Sequence, residues 1–88
     1  MINPARRIQI SRAVLEALSM AGSYALEESR LFSFVDDLVA PPLQYTEQGL
    51  TTKFLKDQGW IREAPNSMDP GLKQWVITES GRNQLASL

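Results

Sequence analysis

The stretch LTTKFLKDQGWIRE, residues 50–63, decides the fold together with QWVITESGRNQL, residues 74–85. Its first part has the composition of a helix that ends at Gly59, because glycine readily takes the left-handed conformation found at helix ends. Apolar and β-prone residues then predict a strand over 60–64 and a return strand over 73–77. The expected order is therefore a helix, a β-hairpin and a last helix.

Polar residues mark the connections around this hairpin. The segment 65–72 is expected to be a turn, and Pro70-Gly71 is its strongest signal. Thr78 is expected to cap the final helix, because its hydroxyl can accept a backbone N–H that the first turn leaves unpaired. Glu79 then lies at the positive end of the helix dipole, where an acid is favourable.

The chain before this stretch predicts a long helix and a short strand. Asn3 is a good cap, and Pro4 loses nothing at the first helical position, where the N–H is unpaired in any case. The helix is expected over 4–21, with Gly22 ending it. Tyr24-Ala25-Leu26 is a β-prone segment and predicts the strand.

Two further helices are expected between this strand and the hairpin. Glu27 and Glu28 open the second helix, and Pro41-Pro42 stops it, because proline lacks the N–H that a helix needs. Thr46 is expected to cap the third helix, which runs to about Gln58.

Helical spacing of apolar residues predicts the core. In the second helix the buried stripe is expected to contain Leu31, Phe34, Val35 and Leu38. Phe32 lies off this stripe, which predicts either a wider buried face or a dimer contact, and Leu15 and Met20 raise the same alternatives in the first helix. The predicted core consists of Val14, Leu18, Leu31, Phe34, Leu38, Leu50, Phe54, Ile61, Trp75 and Ile77.

The motifs FLKDQGWI, residues 54–61, and ITESGRNQL, residues 77–85, resemble the recognition helix and the closing hairpin strand of winged helix-turn-helix domains. The resemblance extends from about Arg7 to Leu85. It implies a single α+β domain over 1–88, with three helices, a small antiparallel wing hairpin and a short C-terminal helix. It also implies that residues 46–58 form the recognition helix and residues 60–77 the wing.

Such a domain is expected to be a small DNA-binding protein, in function a transcriptional regulator. A helix fits the major groove, and polar side chains on its outer face reach base edges or phosphates. The third helix is expected to present Gln48, Thr52, Lys53 and Lys56 on that face, with Gly49 allowing close approach. Basic residues elsewhere are candidate contacts to the phosphate backbone, namely Arg6, Arg7, Arg62 and Lys73.

The overall charge leaves a second function open. The net charge is −1 and the isoelectric point is about 5.3, so no global field attracts the chain to nucleic acid. The expected wing tip, residues 66–70, contains no Lys or Arg. A winged helix that binds a protein partner without contacting nucleic acid is therefore the alternative.

The residues that are missing exclude most enzyme chemistry. The chain contains no Cys and no His, which removes disulfides, thiolate nucleophiles, the usual zinc sites and the usual general base. We therefore expect no catalysis, no metal and no cofactor. No apolar run reaches the length of a membrane span, and the N-terminus lacks the apolar stretch of a signal peptide. A cytoplasmic homodimer is the expectation, since small winged helices commonly bind DNA as dimers.

Overall fold

The fold of this computed structural model consists of four helices and a three-stranded antiparallel sheet, described for residues 3–22, 24–65, 68 and 71–87. This architecture confirms the α+β class. In chain order the elements are α1 (Pro4–Ala21), β1 (Leu26–Glu27), α2 (Glu28–Leu38), α3 (Tyr45–Asp57), β2 (Ile61–Ala64), β3 (Gln74–Ile77) and α4 (Glu79–Ser87).

The sheet has β3 at its centre, between β1 and β2. Leu26 lies opposite Trp75 in the first pairing, and Ile61 lies opposite Ile77 in the second. The two predicted hairpin strands therefore pair as expected. The predicted turn at Pro70-Gly71 lies largely outside the described residues.

Helix ends follow local chemistry where the sequence signal is a cap or a glycine. The Asn3 side chain accepts a hydrogen bond from the backbone N–H of Ala5 at 2.8 Å, as a cap should. Gly22 and Gly59 end α1 and α3 with φ of 66° and 77°. Both values lie in the left-handed region, which glycine enters without the steric cost of a Cβ atom.

The start of α3 differs from the prediction. The helix begins at Tyr45, so Thr46 lies inside the first turn and is not the cap. The backbone N–H of Gln44 donates to the Glu47 carboxylate at 2.9 Å. An acid three residues into the helix thus reaches back to the cap residue, which is the acidic half of a capping box.

Two other boundaries also move. β1 begins at Leu26 because only Leu26 and Glu27 reach β3, and Tyr24 is 81% exposed. α2 ends at Leu38, before Pro41-Pro42, and Val39 already has extended backbone angles. The prolines therefore lie in the connection to α3.

The hydrophobic core lies between α1, α2, α3 and the sheet. α1 is its main wall and supplies the largest group of fully buried side chains. The other elements add side chains that are at most 1% exposed, namely Leu31 and Val35 of α2, Leu55 of α3 and Ile61 of β2. Phe54, Trp60 and Leu85 pack against the core at its edge.

The predicted stripe of α2 is half right: Leu31 and Val35 are buried in the core, and the other two residues are not. Phe34 and Leu38 are 49% and 51% exposed, whereas Phe32 is 5% exposed and belongs to the core. Apolar residues occur on both sides of this helix, so helical spacing alone fits two stripes. Contact with α1 selects the stripe that contains Phe32. Of the two readings of Phe32, the wider buried face is therefore the one observed.

The sequence left two positions for Leu15 and Met20, the core or a dimer contact, and the structure shows where each residue lies. Leu15 is fully buried in the core, so it is not available for a dimer contact. Met20, near the end of α1, is 74% exposed. In α3, Leu50 is 51% exposed and is not a core residue, which is a further correction.

The two motifs that suggested the fold meet in space. The Thr78 hydroxyl donates to the Gly59 carbonyl oxygen at 2.7 Å and accepts from the Gly81 N–H at 3.0 Å. The Thr78 N–H donates to the Trp60 carbonyl oxygen at 3.0 Å. A Cβ atom at Gly81 would collide with that same carbonyl. The turn after α3 and the start of α4 are therefore held together by backbone contacts that require glycine at position 81.

Candidate nucleic-acid interface

A groove runs between α3 and the β2–β3 hairpin. The prediction placed Gln48, Thr52, Lys53, Lys56 and Lys73 at a DNA contact, and all of these residues line the groove. The other lining residues are Glu28, Tyr45, Gly49, Glu63 and Trp75. The fold thus brings side chains from the third helix and the wing to one surface, together with Glu28, which lies 47 residues from Trp75 in the sequence.

The outward face of α3 is rotated from the predicted one. Thr52 is only 6% exposed, and its hydroxyl donates to the carbonyl oxygens of Gln48 and Gly49, at 3.0 and 3.2 Å. Its side chain is therefore occupied within the helix and forms part of the groove floor. The prediction that Thr52 lies on the outer face is wrong, because α3 packs on the core through Thr51, Thr52 and Leu55.

Exposed residues that the sequence analysis missed complete the outward face. They are Tyr45, which is 87% exposed, Leu50, which is 51% exposed, and Thr46; Lys53 was predicted and is also exposed. At 100° per residue, Thr46, Gly49, Leu50 and Lys53 lie on the side opposite the buried residues. The sequence-based prediction left out Tyr45 and Thr46 because it started the helix after Thr46, whereas α3 begins at Tyr45.

Charges in the groove are mixed. Lys53, Lys56 and Lys73 are basic, and Glu28 and Glu63 are acidic. Lys56 Nζ lies 3.9 Å from the Glu63 carboxylate, with both side chains about half exposed. Such a pair contributes little and leaves the lysine available to a stronger anion. The excess is one positive charge among these five groups.

One acid of the groove has a partner in its floor. The Trp75 indole N–H donates to Glu28 Oε1 at 3.4 Å. Trp75 is 4% exposed, so its ring is a packing group and the indole edge alone reaches the groove. Trp60 is also a packing group, because its ring makes an edge-to-face contact with Phe54, with the ring centres 5.8 Å apart.

Arg6 makes a tight contact that ties α1 to the start of α3. Its Nε and terminal N–H groups donate to the two Glu47 carboxylate oxygens at 2.9 and 3.1 Å. A further bond from the same guanidinium reaches the Pro42 carbonyl oxygen at 3.1 Å. This two-pronged geometry is the strong form of the arginine–carboxylate interaction. Arg6 thus fixes the α2–α3 connection. Its guanidinium is occupied by these contacts within the chain, whereas the sequence predicted a contact to the DNA phosphate backbone.

The same contact changes the titration of both groups. The hydrogen bond from Arg6 lowers the pKa of the Glu47 carboxyl, and the Gln44 N–H lowers it further. The hydrogen bond to Glu47 raises the pKa of Arg6. An unpaired carboxylate at Glu47 would repel phosphate from the third helix. Its pairing with Arg6 neutralises that charge.

The remaining predicted contacts lie away from the groove. Arg7 places its guanidinium carbon 4.7 Å from the centre of the Phe54 ring, a cation–π contact on the other side of α3. Arg62 is exposed, and its neighbour Glu63 faces the groove. Since neighbouring side chains of a strand point to opposite faces, Arg62 lies on the outer face of the sheet.

The described residues hold no group of three or more acidic, His or Cys side chains that could bind a metal ion. Among the same residues, no helix is long and apolar enough to cross a membrane.

Two solved structures share this arrangement. The PcaV transcriptional regulator from Streptomyces coelicolor, solved in complex with its natural ligand, matches with a TM-score of 0.72 and 17% identity, over 86% of this chain and 48% of PcaV. TA0346 from Thermoplasma acidophilum, described as a transcriptional regulator, matches with a TM-score of 0.75 and 14% identity, over 99% of this chain and 81% of TA0346.

This chain thus spans about half the length of the PcaV regulator. No protein-family model and no curated protein matches its sequence. The order of helices, the three-stranded sheet and the two structural matches agree with one another. The chain has the winged helix-turn-helix fold.

Proposed function

We propose that this protein is a DNA-binding transcriptional regulator that places α3 in the major groove. The observation that carries the proposal is the convergence of Lys53, Lys56 and Lys73 on one groove beside the exposed face of α3. An exposed helix flanked by positive charge is suited to a duplex, because the helix fits the major groove while lysines contact the phosphates that border it. PcaV is a transcriptional regulator that shares this fold, which supports the same role.

Residues of the groove take different parts in the proposed contact. Lys53, on the outward face, is the candidate for a phosphate close to α3. Lys56 and Lys73 line the side formed with the hairpin and are candidates for the phosphate backbone. Gln48 lies at the groove edge, where its amide can donate and accept. Arg62 and Arg7 face other directions and would reach DNA only at the margin of the contact.

The proposed binding is modest for one copy. Three phosphate contacts give a slope of log K against log salt of about −2.7, at roughly −0.9 per contact. Two copies bound to two half-sites would double the contact, which is the usual solution for small helix-turn-helix proteins. We therefore include a homodimer in the proposal. Sedimentation at tens of micromolar would show about twice 9.9 kDa, and a mass near 9.9 kDa would remove the dimer.

The protein-interaction alternative has less support than before. It would be favoured by an apolar patch built from Phe32, Leu15 or Met68; Phe32 and Leu15 are core residues, and Met68 alone of the three is exposed, at 93%. The lysines around α3 share one surface, which supports DNA as the partner.

A regulator that contacts genomic DNA also acts in the compartment that holds it, which is the cytoplasm of a cell without a nucleus.

The test is binding to a random-sequence duplex at low salt, measured by fluorescence anisotropy. Lys53→Gln combined with Lys56→Gln should weaken binding and make the salt slope shallower by about 1.8, the value for two lost phosphate contacts. The matched control is Arg12→Gln with Arg82→Gln, which removes two charges outside the groove and should leave the slope unchanged. If the wild-type protein does not bind at tens of micromolar, DNA binding is refuted and a protein partner becomes the better explanation.

A further inference from the structure

The centre of the outward face of α3 is uncharged. Thr46, Gly49 and Leu50 lie there, and Lys53 follows one turn later. The acids of this helix are Glu47, which pairs with Arg6, and Asp57, the last residue. The part of α3 that would enter a major groove first is therefore small, apolar and hydroxyl-bearing.

Gly49 has no structural reason to be glycine within the described part of the chain. It lies inside α3, where glycine costs about 1 kcal/mol relative to alanine. A Cβ atom at this position would meet nothing within 4 Å, and the backbone does not have the positive φ that favours glycine. Gly81, by contrast, is required by a close backbone contact. A helical glycine that the fold does not need indicates that another surface approaches the helix at this point.

Leu50 is the side chain next to Gly49, where the helix surface carries no side chain. It is 51% exposed, although the core lies on the other side of the same helix. An exposed leucine alone is ordinary on a protein surface. Beside a helical glycine that lacks a packing role, it has a specific meaning, because apolar side chains in the major groove contact the C5-methyl group of thymine.

We propose that Gly49 and Leu50 form a close-approach surface at which Leu50 contacts a thymine methyl group, so that α3 selects an A·T pair at one position of its site. This inference rests on the proposed function and adds the base that the helix reads. Gly49 lets the backbone approach the base edges, and Leu50 fills the space beside the methyl. Lys53, one turn later, supplies the positive charge of the same face.

The test begins with a duplex selected from a random library by the purified protein. Each thymine is then replaced singly by uracil, which keeps the base pair and removes only the methyl group. We expect one position, on either strand, at which uracil weakens binding about fourfold, the effect of one buried methyl-sized group. In Leu50→Ala the affinity for the thymine duplex should fall, and the uracil penalty at that position should disappear.

Two controls separate this effect from loss of folding. Met20→Ala removes another exposed apolar side chain and should keep the uracil penalty. Met20 lies about 21 Å along α1 from Arg6, the α1 residue that contacts α3, at a rise of 1.5 Å per residue. Gly49→Ala should bind the selected duplex more weakly while melting at a higher temperature than the wild type. A merely structural role for Gly49 would not produce opposite changes in these two measurements.

The outcomes distinguish this inference from the proposed function. If the protein selects a duplex but no uracil position matters, the thymine contact is refuted and DNA binding stands. The contact is also refuted if Leu50→Ala keeps the full penalty. If no duplex is retained even at low salt, both the proposed function and the inference fail.

Discussion

Replacement of Gly81 by alanine tests the contact that joins the turn after α3 to the start of α4. The new Cβ atom would collide with the Trp60 carbonyl oxygen and would lie 2.9 Å from Ile77 Cγ1. The first neighbour is backbone, which cannot rotate away as a flexible side chain can. The collision would also displace the carbonyl that accepts the Thr78 N–H. Gly81→Ala should therefore destabilise the protein although alanine is the better helix former.

The size of the effect follows from two opposing contributions. Overpacking of a tight contact costs about 3 kcal/mol when a rigid group must move. Alanine recovers about 1 kcal/mol of helix propensity. The free energy of unfolding should thus fall by about 2 kcal/mol, which lowers the melting temperature of a domain of this size by roughly 8–16 °C.

Gly49→Ala is the matched control, because Gly49 is also helical but has open space around it. The same substitution should there raise the free energy of unfolding by about 0.5–1 kcal/mol. Both variants can be measured by urea and thermal denaturation followed by circular dichroism. The reasoning would be refuted if Gly81→Ala were as stable as the wild type, or if Gly49→Ala were the less stable of the two.

Two more predictions concern α2 and the α1–α3 contact. Phe32→Ala should lower the free energy of unfolding by about 3–5 kcal/mol and Phe34→Ala by less than about 1 kcal/mol, because only Phe32 is buried. Equal losses of stability in urea denaturation would contradict the observed orientation of α2. Glu47 stabilises the fold through its lowered pKa, so its contribution is complete above the ordinary value of 4.5 and is lost as the pH falls through the lower pKa of the folded state. Glu47→Gln should have a lower melting temperature at pH 7 and should lose less stability than the wild type between pH 5 and about pH 3, whereas parallel pH profiles would exclude this role.

The pairing of Arg6 with Glu47 changes how the charge of α3 should be counted. From the sequence, Glu47 counts against DNA binding and Arg6 counts in favour of it. In the structure the two charges cancel at a contact in which each side chain is 13% exposed. The net attraction to phosphate therefore depends on the lysines of the groove, set against Glu28 and Glu63. This is why we expect strong salt dependence together with modest affinity.

Apolar side chains on α1 and α2 remain exposed in this chain. Ile8 is 55% exposed and Leu38 is 51% exposed, and they line one cleft between the two helices. Helical spacing in the sequence predicts Leu38 in the core, as part of the apolar stripe of α2. Leu38 lies instead at the edge of the α1–α2 contact, where it lines this cleft and stays half exposed.

The sequence by itself determined the elements and several of their ends. Asn3, Gly22, Gly59 and Thr78 mark boundaries that the structure keeps, because a cap or a left-handed glycine acts on backbone groups only a few residues away. The start of α3 was missed because Gln44 is a weaker signal than Thr46, although the acid three residues after Gln44 was available as evidence.

The tertiary structure alone decided the rotation of the helices and the partners of the charges. A helix with apolar residues on two sides fits more than one buried stripe, so only packing against α1 and the sheet selects Phe32 and Thr52 for the inside and Leu50 for the outside. Arg6 and Glu47 are 41 residues apart, and no local pattern connects them. Local chemistry fixes where an element begins and ends, whereas the face it presents to a partner depends on contacts between elements distant in the sequence.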